Sequence, residues 1–107
     1  MASPLDALTA CAGFQWDEGN RDKNERHHGV SWVECEQVFF SEPLVAATDQ
    51  RHSQLEVRYY VLGSTRDGRL LFVACTVRAQ LIRVISARPM SRRERRIYAQ
   101  AEKESSP

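Results

Sequence analysis

Two adjacent histidines, His27 and His28, stand directly before Gly29 in the stretch NERHHGVSWVE. Histidine is the side chain whose charge changes near neutral pH, so the pair suits proton transfer or metal binding. A metal centre needs further ligands at suitable spacing, and only His52 and scattered carboxylates are on offer. A helix C-terminus also attracts histidine, through the dipole and the orphan carbonyls, so the pair reads equally as the plain end of a helix. Arg58 and Arg83 are the second set of interest. Guanidinium binds phosphate bidentately, which suits a phosphate-bearing ligand, although strand-end salt bridges would use the same residues. Ser86 lacks a base and an acid at matching spacing and reads as an ordinary strand serine. Trp16 and Trp32 read as packing residues rather than base-stacking ones. Cys11, Cys35 and Cys75 form no C-x-x-C pair, which points to reduced thiols, with Cys35 and Cys75 buried.

The elements that must hold these groups follow from pattern. Phe14 to Asp17 alternates apolar and polar as a short strand does, and Asp17 then caps a surface helix through EGNRDKNERHH that Gly29 ends. Ser31 with Glu34 makes a capping box for an amphipathic helix bearing Trp32, Cys35 and Phe39, stopped by Pro43. LVAATD reads as an edge strand and QRHSQLE as a polar loop. Three β-rich runs follow, EVRYYVLGST, RLLFVACTV and LIRVISA, joined by RDG and RAQ, which predicts an antiparallel meander. Ser91 and Glu94 open a basic C-terminal helix whose Ile97, Tyr98 and Ala101 dock on the sheet.

If Arg66 and Arg69 flank the first turn, Tyr60 sits opposite Cys75. If Val77 pairs with Leu81, Cys75 faces Arg83. One face then carries Val57, Tyr59, Val61, Phe72, Ala74, Ile82 and Val84, and belongs under the helices. The other carries Arg58, Tyr60, Val73, Cys75, Arg83 and Ile85.

At 107 residues with 42% hydrophobic and 27% charged residues, the composition is that of one soluble α+β domain. Residues 12–104 form the domain, with a flexible N-terminus over 1–11 and a flexible tail over 105–107. The net charge of +1 is uneven. Residues 83–107 hold seven Arg/Lys against three Glu, a net +4, and the remainder eight basic against eleven acidic, a net −3. A basic end of this kind presents a phosphate-binding surface or a solvated helix face. No run approaches a membrane span, and MASPLDALTACAG lacks the basic start of an export signal, so a cytoplasmic location is expected.

Taken together, FQWDEGNRDKNERHHGVSW, the strand EVRYYVLGST and the closing RVISARPMSRRERRIY resemble the BrnT family, ribonuclease toxins of bacterial type II toxin–antitoxin pairs. The resemblance covers most of residues 14–98. It implies a RelE-like fold, an antiparallel meander sheet with the N-terminal helices on one face and a C-terminal basic helix. It implies metal-independent RNA cleavage, with no cofactor, by 2′-hydroxyl attack to a 2′,3′-cyclic phosphate. It also implies a ribbon-helix-helix (BrnA-like) antitoxin and operator DNA binding by the complex. The catalytic candidates are His28, Arg58, Arg83 and Arg88; the RNA-binding candidates are Lys23, His27, Glu56, Tyr60 and Arg92. His27 stands where the family usually has lysine, so its contribution to phosphate binding would require a protonated ring. The rival reading is a non-catalytic toxin-like module that binds protein or nucleic acid on the same arginine face. The run Arg92 to Arg96 fits a solvated helix face, an RNA contact or the antitoxin's landing site.

Overall fold

The computed structural model describes residues 3–52 and 55–105. Its elements are α1 (Pro4–Thr9), β1 (Gly13–Phe14), α2 (Lys23–His28), α3 (Trp32–Val38), β2 (Val45–Thr48), a 3-10 turn (Gln50–His52), β3 (Arg58–Ser64), β4 (Leu70–Arg78), β5 (Leu81–Pro89) and α4 (Arg92–Ser105). They form an α+β fold around one mixed sheet of order β1-β5-β4-β3-β2, in which β2 to β5 are antiparallel and β1 runs parallel to β5. No helix among the described residues is long and apolar enough to cross a membrane.

One sheet face is the main core. Val61, Leu71, Val73, Cys75, Ile82, Val84 and Ala87 meet Leu8 of α1, Val30, and Cys35 and Val38 of α3, all 5% exposed or less. The boundaries of α3 follow its capping box, in which Ser31 Oγ accepts from the Glu34 N–H and Glu34 reaches back to the Ser31 N–H. Gly29 ends α2 with a left-handed φ of 66°. Arg69 clamps this junction to the first hairpin, donating to the Gly29 carbonyl at 3.0 Å and to Glu34 at 2.7 Å. On the opposite face, α4 covers only one end of the sheet. Tyr98 (1% exposed) packs with Leu62 and Met90 there, and its hydroxyl donates to the Pro43 carbonyl at 2.7 Å.

Several sequence expectations need correcting. A helix forms over Pro4–Thr9 within the stretch expected to be loose. Ser3 and Asp6 make a capping box around Pro4, and Leu8 is buried in the core. Positions 1 and 2, and 106 and 107 of the expected tail, lie outside the described residues, as do 53 and 54 of the polar loop. Asp17 does not cap α2, which begins six residues later. Instead its carboxylate accepts from the Gly19 N–H and its carbonyl from the N–H groups of Asn20 and Arg21, which folds 17–21 into a turn.

Both hairpins differ from expectation by one residue. The first pairs Ser64 with Leu70 and closes with the Thr65 N–H donating to the Arg69 carbonyl at 2.9 Å, and Gly68 takes φ 86° in a three-residue loop, one longer than a two-residue turn. The second is a two-residue turn with Ala79 and Gln80 at φ 50° and 63°, pairing Arg78 with Leu81. Tyr60 therefore faces Ala74, and Arg83 faces Thr76. Val73 and Cys75 belong to the core, whereas Phe72 and Ala74 belong to the arginine face. For Arg58, Tyr60 and Arg83 the two displacements cancel, and these three do share a face.

Candidate active site

A β-bulge builds the site. Cys75 pairs with Val84 but Ala74 with Ser86, so Ile85 is an extra residue in β5 with no partner of its own on β4. Arg83 and Arg88 are five positions apart, and on a regular strand they would point to opposite faces. The extra residue brings both to the same one. The register then defines three rows across the sheet: Arg58–Thr76–Arg83, Tyr60–Ala74–Ser86 and Leu62–Phe72–Arg88.

The bulge is held from outside by the polar segment around α2. Among the described residues, strand β1 pairs only with Leu81 and Ile82, leaving the rest of that β5 edge without a strand neighbour. Asn20 (3% exposed) donates through Nδ2 to the Val84 carbonyl at 3.1 Å, Lys23 Nζ to the Ile85 carbonyl at 2.7 Å, and Asn24 Oδ1 accepts from the Ala87 N–H at 3.1 Å. Buried backbone polar groups demand such partners, and side-chain amides supply them here. The signal for these roles was present as two asparagines in a polar stretch, but the edge they satisfy has no mark in the sequence.

Each arginine has defined company. Arg83, 17% exposed in its side chain, forms a bidentate pair with Asp17 at 2.7 and 3.2 Å and also donates to Gln15 Oε1 at 3.3 Å. This guanidinium, followed by the Gly19 N–H, holds the Asp17 carboxyl below its usual range. Arg88 pairs bidentately with Glu94 at 2.8 and 2.9 Å, lowering Glu94 and being raised by it. Glu94 thus serves Arg88 as well as the Ser91 cap of α4. The guanidinium of Arg88 also lies 4.2 Å from the Phe72 ring centroid, and Phe72 stacks on Tyr60 at 5.7 Å and 23°. Arg58 is half-buried at the start of β3. Glu56 is bonded to Arg78 at 2.9 and 3.1 Å, which lowers its pKa, and it feels the positive charges of Arg58 and Arg83.

Of the sequence candidates, Arg58, Tyr60, Arg83 and Arg88 come together on one face. Lys23, His27 and His28 lie on α2 at the edge of β5. The two imidazoles are exposed, with centroids 6.4 Å apart, and neither makes a hydrogen bond among the described residues. Lys23 is engaged with the bulge. Arg92 is the exposed first residue of α4, one turn of chain beyond Arg88. Phe72, Asp17 and Glu94 join the site without having been singled out for it. Trp16 packs against the core and donates to Glu36 at 2.7 Å, while Trp32 lies 6.1 Å from it with Arg21 over its ring.

The arrangement sets guanidinium groups and flat rings on one sheet face, with two exposed histidines on α2 at its edge, groups able to bind a phosphate. A family model described as "Ribonuclease toxin, BrnT, of type II toxin-antitoxin system" matches residues 16–94, from Trp16 through the bulge and its ties to Glu94. No curated protein matches the chain significantly.

Proposed function

Since the chain belongs to the BrnT family of ribonuclease toxins of type II toxin–antitoxin systems, with RNA as substrate and an antitoxin as partner, we propose that it cleaves RNA on the arginine face without a metal or other cofactor. One observation carries the reading: Arg58, Arg83 and Arg88 gather on a single face through the bulge at Ile85.

RNA carries its own nucleophile. The 2′-oxygen forms a bond to phosphorus, the bond from phosphorus to the 5′-oxygen breaks, and a 2′,3′-cyclic phosphate and a 5′-hydroxyl result. Arg58, Arg83 and Arg88 hold the phosphate and stabilise the added negative charge of the transition state. The ties run in one direction, Asn20 to Val84, Lys23 to Ile85 and Asn24 to Ala87, so α2 advances along β5. His28, one helical turn beyond Asn24, continues toward Arg88 and is the proton acceptor or donor in this reading. His27, one turn beyond Lys23, stands exposed beside the RNA path. Lys23, Glu56, Tyr60 and Arg92 border the RNA path. The remaining parts of the reading are a RelE-like fold, a cytoplasmic site of action, a ribbon-helix-helix antitoxin and operator binding by the complex.

A second reading, a non-catalytic module on the same face, is favoured by the bidentate carboxylates that already occupy Arg83 and Arg88. Purified protein incubated with naked RNA and EDTA separates the two. Cyclic-phosphate ends from the parent protein, lost in Arg83→Ala with weakened RNA binding and lost in His28→Ala while RNA binding persists, are expected. Intact RNA from a folded protein across a range of pH sinks the nuclease reading.

A further inference from the structure

We propose that the arginine face contains a nucleobase seat, floored by Ala74 and Ser86 and walled by Tyr60 and Phe72, which holds one base of single-stranded RNA beside the phosphate-binding arginines. The proposal rests on the ribonuclease reading and adds to it where a base is gripped. Among the inward rows of this face, the middle one is the shallow one. Tyr60 is followed across the sheet by Ala74 and Ser86, small side chains set between the rows Arg58–Thr76–Arg83 and Leu62–Phe72–Arg88. Neighbouring strands are about 4.8 Å apart and alternate residues along a strand about 6.7 Å, so this floor spans roughly the area of a flat base.

The wall is planar. Tyr60, Phe72 and the Arg88 guanidinium stand as three flat groups in sequence, the rings 5.7 Å apart at 23° and the guanidinium 4.2 Å from the Phe72 centroid. Phe72 leans on the small cluster beneath α4, but Tyr60 belongs to neither hydrophobic cluster and is only half-buried. Tyr60, stacked on Phe72 and otherwise only half-buried on the water-facing side of the sheet, offers a ring on which a further flat group can stack. Three guanidiniums in the flanking rows specify the charge of that partner's backbone. A base attached to phosphates satisfies both, whereas an apolar protein segment satisfies only the ring. A paired base cannot reach the floor, so the seat selects single strands.

The experiment uses the full chain and short 2′-O-methyl RNA oligonucleotides, which bind but cannot be cleaved, followed by fluorescence anisotropy. One abasic residue is walked along the oligonucleotide. At one position, loss of the base should weaken binding roughly 5- to 150-fold, the range that about 1–3 kcal/mol of base stacking converts to. Tyr60→Leu should weaken the intact oligonucleotide by a similar factor and leave binding of that abasic one unchanged. Ala74→Leu, which fills the floor, should do the same, and its near-ultraviolet circular dichroism reports whether it has folded. Equal binding of every abasic oligonucleotide overturns the seat, and that arm needs no variant. Equal losses in Tyr60→Leu for intact and abasic RNA overturn it too, as does failure to bind the intact oligonucleotide. Cleavage of the all-ribose oligonucleotide is scored separately. Scission without base-dependent binding overturns the seat alone, and base-dependent binding without scission overturns the nuclease reading alone.

Discussion

Replacing Asn24 by alanine tests whether α2 holds the bulge. Asn24 is 3% exposed, and its Oδ1 accepts from the buried Ala87 N–H at 3.1 Å. Removing the acceptor strands that donor, at a cost of about 1–3 kcal/mol. Alanine's better helix propensity offsets roughly 0.5 kcal/mol of this in the first turn of α2. The net loss of about 0.5–2.5 kcal/mol corresponds to a drop of about 2–20 °C in the melting midpoint for a domain near 100 residues. Urea unfolding gives the stability, and hydrogen exchange at the Ala87 amide gives the site. Glu25→Ala, on the exposed side of the same helix, provides the reference and should change stability by less than about 0.5 kcal/mol. RNA cleavage by Asn24→Ala should fall further than its folded fraction, because a loosened bulge no longer fixes Arg88 beside Phe72. The reasoning is refuted if Asn24→Ala is as stable as Glu25→Ala, or if the Ala87 amide stays equally protected.

Asp17→Asn keeps an acceptor for the Gly19 N–H but removes the charge that competes for Arg83, so affinity for a non-cleavable RNA should rise; weaker binding would show Asp17 positioning the arginine instead. The hydrogen bonds from Arg88 hold Glu94 below the usual carboxylate range. A depressed carboxyl stabilises the folded state above its unfolded pKa of about 4.3 and loses that contribution as pH falls through the folded value. The urea midpoint should therefore drop below about pH 4.5, and less steeply in Glu94→Gln; equal slopes would refute the assignment. Burial pushes the thiols of Cys35 and Cys75 up to about 12, with exposures of 1% and 0%, whereas Cys11 is only half-buried. A thiol reagent should modify Cys11 first in the native protein and all three cysteines only in denaturant, as peptide mass mapping would show.

Much of the fold is written locally. The capping boxes at Ser31 and Ser91, the left-handed Gly29 and the three apolar strands are short-range signals, and each appears where its residues stand. Register is not local in this sense. Whether a hairpin closes with two residues or more was decided by Gly68 in one turn and by Ala79 and Gln80, two non-glycine residues at positive φ, in the other. The second choice has no glycine to announce it. Strand alternation therefore grouped Arg58, Tyr60 and Arg83 correctly but reversed Phe72 and Ala74, and it offered no reason to bring Arg88 beside them. The α1 capping box at Ser3 and Asp6 was readable, but a segment of six residues gives periodicity little to work with.

The polar stretch Asn20 to His28 joins these observations into one mechanism. A helix with so little apolar surface has small reason to pack on a hydrophobic sheet face, and α2 does not need to. It serves the half of β5 that β1 is too short to reach, where carbonyls and an N–H would otherwise be buried without partners. An asparagine amide carries the donor and acceptor of a peptide group, so Asn20 and Asn24 act as a substitute for a neighbouring strand. They also need not follow a strand's regular spacing. A real strand would favour continuous pairing along β5 and press the extra residue out, whereas separate side chains can reach either side of it. The bulge at Ile85 persists because its edge is completed this way, and through it Arg83 and Arg88 point to one side. The residues that look least apolar in the chain therefore decide which way the charged ones face, and a variant lacking both asparagines would retain its arginines without retaining their common surface.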